Sequence, residues 1–491
     1  MSDVLERLSP LFRPRGIVLA GVSSHPGKFG AVAFHNLLRF GFAGPIFPIK
    51  PDGAEVFGRP TLSEVSQVPD GAADLAFLCT PAKLNAGLLR ACAAKGVRAA
   101  YVASGGYAEA GEDGRELERE LVETAEELGV ALAGPNGQGI VSTPVSMCAQ
   151  IVAPYPPPGP LSMVSQSGNV GSSFMNYGCL TGVGYSKGIS CGNAAQLEVA
   201  EFIEYYAEDP DTLATLVYLE GLEDGRRFAE VARAHALRKP LVVLRGGATR
   251  QGQRAASSHT GALASDDAVF DGVCRLAGAV RAASVEEAYE AAAAFATQPL
   301  PRGPRTLIVT AAGGWGVLTA DACVRAGLEL IELPDDLRRR IDGMVPSRWS
   351  GGNPIDLAGG ETRDTIPEVL DLAAAHPEVD AVIYLGIGIQ AAQANQFRSG
   401  PYYPDHGLDR IVDFHERQDG RYAQAASEAS ELHGKPVLVA TDLALTDRDY
   451  GNSGPLGVQR SGRIVWPSGH RAVRTLSQML RYSRWLSHRS T

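Results

Sequence analysis

Short, continuous apolar runs alternate along this chain with longer stretches in which apolar positions recur at the helical interval. Residues 16–21, 45–49, 75–79, 99–102 and 130–133 are runs of the first kind, the pattern of parallel strands buried on both faces. Residues 84–95 and 115–128 are of the second kind and predict helices. Strand and helix in regular succession give the first 145 residues the look of a βαβ nucleotide-binding unit.

The pattern breaks at AQIVAPYPPPGP, residues 149–160, because a proline cluster cannot continue a helix or a central strand. It restarts with apolar runs at 161–164, 214–220 and 240–245, each followed by a glycine-bearing turn and a helical stretch. A second Pro-rich joint, QPLPRGPR at 298–305, precedes runs at 306–310, 328–331, 381–387 and 436–440. The simplest organisation is α/β throughout, with three Rossmann- or flavodoxin-like parallel-sheet domains in series over 1–150, 151–298 and 299–491. Residues 390–424, with Phe397, Tyr402 and Tyr403, are polar, aromatic and rich in Pro and Gly, and read as an irregular insertion: a lid, a partner-binding segment or a variable surface loop. Residues 470–485 read as a closing amphipathic helix.

At 491 residues, 45% hydrophobic and 20% charged, the chain is neither a single small module nor a disordered one. A formal charge of -10 argues against a broad electrostatic grip on nucleic acid or anionic lipid, so an anionic ligand needs a local site. The seven cysteines are scattered without a CxxC pair, and no HxxxH is present, which points away from a disulfide framework and from a bound metal. Charges at Asp3, Glu6 and Arg7 interrupt any apolar leader and no membrane-length apolar run follows, so the reading places the protein in the cytoplasm, away from membranes.

Three turns carry candidate chemistry. IVLAGVSSHPGKFG delivers a strand into Gly21, Ser23, Pro26, Gly27 and Lys28, the arrangement that aims backbone N–H groups and a lysine at a phosphate. Its spacing is not GxGxxG, and a plain structural turn has the same look. LSMVSQSGNVGSS repeats the device with Ser165, Ser167 and Gly168, suited to an anion at a helix N-terminus or to a simple Ser-capped helix start. RAASSHTGALA sets His259 among small residues, where an imidazole is open to act as nucleophile or base, or is merely structural. Glu220 ends a predicted strand, where a carboxylate could hold one imidazole nitrogen or cap the next turn.

Taken in order, these segments resemble the nucleoside-diphosphate-forming acyl-CoA synthetases, the ADP-forming acetate–CoA ligase α subunits and their succinyl-CoA synthetase α relatives. The resemblance also runs through Gly134-Pro135-Asn136, AAGGWGVLTAD at 311–321 and GGNPIDLAGG at 351–360, and so covers nearly the whole chain. It implies that the first domain binds coenzyme A, with Gly21, Ser23, Pro26, Gly27, Lys28 and Lys50 toward its phosphates and Asn136 near the thioester end. It implies a phosphorylated His259 stabilised by Glu220, with Ser165, Ser167 and the Gly168 amide holding phosphate. The activity it implies is a reversible acid–thiol ligase reaction, with ATP or ADP and Mg bound only by an ATP-grasp β-type partner chain in a homo- or hetero-oligomer.

Two positions depart from the family pattern. Lys50-Pro51-Asp52 stands where relatives read NPK, which places an acid where a phosphate-side lysine is expected. GPNGQG has Gly137 in the place of a cysteine, an exchange expected to widen the acyl pocket. Two rivals remain: a catalytically silent CoA or acyl-CoA sensor, and a nicotinamide-dependent oxidoreductase, the latter weakened by the missing GxGxxG.

Overall fold

The computed structural model describes residues 3–152, 154–252, 254, 266–357, 363–443, 446, 448 and 451–488. It divides into two compact units, one of residues 1–179 and 184–288, the other of 180–183 and 289–491. Three parallel-dominated sheets make up their framework, the α/β class expected from the alternating pattern.

The first unit holds two sheets. The first consists of β1 (Ile17–Ala20), β2 (Ile46–Ile49), β3 (Leu75–Leu78), β4 (Ala99–Val102) and β5 (Ala131–Ala133), in the order β2-β1-β3-β4-β5 and all parallel. The second consists of β6 (Gly139–Ser142), β7 (Met147–Gln150), β8 (Pro158–Ser165), β9 (Tyr185–Ser190), β10 (Ala214–Leu219), β11 (Leu241–Arg245) and β12 (Val280–Ala282), in the order β12-β11-β10-β8-β9-β6-β7. β6 and β7 are its antiparallel edge.

The proline cluster does not keep strand structure out: β8 begins at Pro158, and it is a central strand. A proline lacks only the donor. The Pro157 carbonyl accepts from Tyr185 N–H at 3.0 Å and the Pro160 carbonyl from Leu213 N–H at 2.8 Å, while the register shifts between Pro158 and Leu161 absorb the missing donors.

The second unit carries β13 (Arg305–Thr310), β14 (Glu329–Leu330), β15 (Ile355–Asp356), β16 (Ala381–Leu385) and β17 (Val437–Ala440), with β13 at the centre and every pair parallel. The expectation of an irregular insertion over 390–424 is overturned here. Helices Ile389–Arg398 and Leu408–His433 cover most of it, and only the Pro- and Gly-rich turn between them is irregular. The long helix hid its inner face because that face is partly polar: Gln418 and Asp419 are buried beside Val412, Tyr422 and Ala426. The Asp419 carboxylate accepts the N–H groups of Gly388 (3.1 Å) and Ala391 (2.7 Å) and so caps the shorter helix. The closing helix is present at Gly469–Ser487.

Candidate functional site

In the first sheet the chain leaves β1 toward β2 and returns to β3 on the other side, so the carboxyl ends of β1 and β3 form a topological switch point. Gly21 follows β1 with φ +86°, and a Cβ there would stand 2.8 Å from the Cys79 carbonyl. A Cβ on Gly30 would meet the Gly21 carbonyl oxygen at 2.1 Å. Both positions need glycine because the helix Phe29–Arg39 starts directly against the turn.

Ser23, Pro26, Gly27 and Lys28 form that turn, largely exposed from residue 24 to 28. His25 organises it. Its N–H donates to Ser23 Oγ (3.0 Å), its Nδ1 accepts from Gly27 N–H (3.1 Å) and its carbonyl accepts from Lys28 N–H (3.1 Å). Lys50 follows the neighbouring β2, and Val22 N–H donates to the Ile49 carbonyl at 3.3 Å, which sets the lysine beside the turn. Its ammonium pairs with the Asp52 carboxylate, and that hydrogen bond, helped by the Ala54 N–H, holds Asp52 below its ordinary value.

Asn136 follows β5 and a cis Gly134–Pro135 bond, with φ +61°. Its N–H donates to the Ser104 carbonyl (3.0 Å) and its side chain to Asn193 Oδ1 (3.3 Å). Asn193 in turn donates to Glu109 and Glu118, each at 2.7 Å. Burial pushes Glu109 up, but hydrogen bonds from Asn193 and the Gly106 N–H outweigh it and hold the carboxyl below its usual range.

Gly137 does not open a pocket, contrary to the expectation for that exchange. A Cβ there would lie 2.0 Å from the Tyr101 hydroxyl and 2.3 Å from the Ser190 carbonyl oxygen, so the space is filled. The buried Tyr101 hydroxyl donates to the Ser190 carbonyl and accepts from Gly139 N–H, both at 2.6 Å, and thereby pins the first sheet to the second.

The second sheet has its switch point between β8 and β10, where Ser165 pairs in register with Tyr218. Ser165 is fully buried and its hydroxyl donates to the Ser167 carbonyl at 2.5 Å. Gly168 opens the helix Gly168–Thr181, whose early N–H groups at Val170 and Gly171 turn back on Ser167. Gln166 joins the two strand ends. Its Oε1 accepts the N–H groups of Glu220 (2.5 Å) and Gly221 (3.1 Å), and its Nε2 donates to the Gly221 carbonyl at 3.0 Å. Tyr218 is pushed up to about 12 by burial, with the Glu220 charge and hydrogen bond adding to it.

The structure thus gathers the candidates into groups: Gly21 to Lys28 with Lys50 at the first sheet's edge, and Ser165, Ser167, Gly168 and Glu220 at the second's. Asn136 belongs to the turn that Tyr101 ties between them. His259 lies outside the described residues. Gln166 lies within LSMVSQSGNVGSS, but a neutral carboxamide carries no local anion-binding signal, so the sequence singles out only the serines and the glycine around it. Among the described residues no group of three or more His, Cys, Asp or Glu side chains could hold a metal, and no helix is long and apolar enough to cross a membrane.

Three family models match the chain: a CoA binding domain over residues 15–143, a succinyl-CoA ligase like flavodoxin domain over 158–295 and a Ligase-CoA domain over 306–389. The chain is 32% identical over 97% of its length to the acetate–CoA ligase [ADP-forming] I subunit alpha of Pyrococcus furiosus, of which it spans 98%. It is 36% identical over 76% of its length to the acetate–CoA ligase [ADP-forming] I of Archaeoglobus fulgidus, of which it spans about half, 54%. A solved structure of a dinucleotide forming acetyl-coenzyme A synthetase 1 from Ca. Korarchaeum cryptofilum, in complex with phosphate and ADP, is 30% identical with a TM-score of 0.83, covering 98% of both chains.

Proposed function

The chain belongs to the ADP-forming acyl-CoA synthetases, and from that premise we propose that it is the α-type subunit of an acid–thiol ligase that interconverts acyl-CoA, phosphate and a nucleoside diphosphate with carboxylic acid, CoA and the triphosphate. A phosphate oxygen attacks the thioester carbonyl, the C–S bond breaks, and CoA leaves as the thiol beside an acyl phosphate. The His259 imidazole then attacks phosphorus, releasing the carboxylate, and the nucleoside diphosphate later accepts the phosphoryl group.

The turn Gly21 to Lys28, with Lys50, takes the CoA phosphates, and Asn136 the thioester end. Ser165, Ser167 and the Gly168 N–H hold the phosphate, and Glu220 orients the phosphorylated His259. The ATP-grasp part is on a partner chain, which would bind ATP or ADP with Mg²⁺; the Pyrococcus furiosus relative's name as a subunit supports this.

The observation that carries the proposal is the Gln166 clamp. It ties the turn that follows β8 to the Glu220 and Gly221 backbone at the end of β10, which supports a reading in which the Ser165 to Gly168 turn and Glu220 act at one place. Peptide mass spectrometry under alkaline handling, after incubation with a panel of acyl-CoAs and phosphate, tests it against His259→Ala. An adduct on His259, absent from the variant, is expected; no adduct under any condition while CoA still binds would overturn the relay and leave a CoA-binding protein.

A further inference from the structure

The second unit holds a cleft that the reaction above does not use. It lies at the amino edge of the sheet, where Arg305 begins β13, Asp380 stands just before β16 and Lys435 shortly before β17. Substrates of open parallel sheets gather at the opposite, carboxyl edge. The cleft measures about 540 Å³, within the range of sites for small organic molecules. Pro304, Ala375 and Pro377 give it apolar wall, and Arg302, Arg305, His433 and Lys435 bring nitrogen to it.

Its charges do not balance. Asp380 is spent on Arg305: its Oδ2 accepts from Nε at 2.9 Å and from the Arg305 backbone N–H at 3.1 Å, and its Oδ1 accepts from Nη2 at 2.9 Å. His433 is answered by Asp371, with Nε2 at 2.7 Å from Oδ1, and the charges of Glu378 and Glu329 bear on Arg305. Among the described residues Lys435 makes one side-chain hydrogen bond, from Nζ to the His376 carbonyl at 2.6 Å, and the exposed Arg302 meets no carboxylate. Burial, with Arg302 and Arg305 adding to it, holds the Lys435 ammonium below its ordinary value against the pull of Asp380.

Cations beside the end of a helix often serve its last carbonyls, and the helix Thr365–Ala375 ends at this cleft. That duty falls to Lys435 at His376 and to Arg305, whose Nη2 donates to the Pro377 carbonyl at 3.1 Å; it does not employ Arg302. We propose that the cleft binds a phosphate monoester, its head between Arg302 and Lys435 and its organic body on the wall of Pro304 and Pro377. A monoester carries close to two negative charges at neutral pH and so matches the two cations, whereas a carboxylate on the same body carries one.

Calorimetric titration of the full chain with phenyl phosphate and with benzoate tests this, and hydrogen exchange locates the site. Phenyl phosphate is expected to bind about tenfold tighter than benzoate and to slow exchange in peptides covering 302–306 and 433–437. Arg302→Gln, at an exposed side chain, should weaken it about tenfold, Lys435→Gln likewise, and Arg302→Lys should restore most of the affinity. Benzoate binding as tightly, affinity unchanged in both Gln variants, or no protection at the cleft overturns the proposal. Protection at 21–28 or 165–171 in place of the cleft would overturn it too while leaving the proposed function standing, since those turns are its phosphate sites.

Discussion

The two switch points in the first unit use one local device, a strand running into a Gly/Ser turn and then a helix, but their surroundings differ. At the first sheet the turn is exposed, held by its own His25, and the neighbouring lysine is already neutralised by Asp52. At the second the serine is fully buried, and a glutamine reaches across to the next strand to fix the backbone of the candidate acid. An exposed, self-contained turn suits a surface that captures a long, flexible anion. A cross-braced, desolvated turn suits bond making, where electrostatic stabilisation depends on donors that need not reorganise. On the proposed function, the same motif would serve as a binding edge or as a reacting edge according to residues far away in the chain.

The comparison breaks most visibly if the brace is not needed. Gln166→Ala leaves the Glu220 and Gly221 N–H groups without their acceptor. Phosphoenzyme formation on His259 should fall about 100-fold, the cost of misplacing a reacting group by about 1 Å, while CoA binding at the first edge stays within about twofold. Rapid-quench phosphoenzyme yields alongside CoA titration read both; equal losses would mean that the two edges are not mechanically distinct.

A second difference is acid sensitivity. His235, on the helix Gly225–Ala236 behind the second sheet, is fully buried with Nδ1 at 3.0 Å from the Ile203 carbonyl, and burial pushes it down to about 4 from 6.5. The neutral ring is the folded form, so its contribution is complete above pH 6.5 and is lost as pH falls toward 4, at most about 3 kcal/mol. Hydrogen exchange at pH 7 and pH 4.5 should show the Gly225–Ala236 peptides opening while those of β1 to β3 hold. His235→Asn should flatten that difference.

Sequence made the strand frame legible because apolar runs such as 99–102 coincide with buried strands. It hid Tyr185–Ser190, since YSKGIS carries a lysine that looks like surface until Lys187 is found buried on Asp209 at 2.7 Å. It hid the long helix at 408–433 for the same reason, through buried Gln418 and Asp419. The two strand–turn–helix junctions could be read because Gly and Ser mark such turns locally. The brace could not, for Gln166 and Glu220 are 54 residues apart and neither alone suggests the other.

The glycines sharpen the contrast at smaller scale. Gly30 and Gly168 both begin helices against a turn, yet a Cβ on Gly30 meets the Gly21 backbone at 2.1 Å, while the atoms nearest to one on Gly168 belong to the Gln138 side chain. Gly30→Ala should therefore destabilise by about 1–3 kcal/mol, and Gly168→Ala by less than about 1 kcal/mol, because a side chain can move where a backbone cannot. Urea denaturation of the two variants side by side measures this, and the reverse order would mean that the second edge is the more rigidly packed.

The smallest effect expected lies in the Lys50–Asp52 pair. Asp52 is exposed and its carboxylate occupies the lysine that the CoA phosphates would use. Asp52→Lys removes the competitor and adds a second cation on the open edge, so CoA affinity should rise about three- to tenfold at low salt and the gain should fade near 0.5 M salt as screening shortens the reach of exposed charges. Asp52→Asn should give a smaller part of the gain. Phosphoenzyme chemistry at the second edge should respond to neither once CoA thioester is saturating. If Asp52→Lys instead changed the maximal phosphoenzyme rate at saturation, charge at the binding edge would be acting on the reacting edge, and capture and chemistry would no longer be separable in this fold.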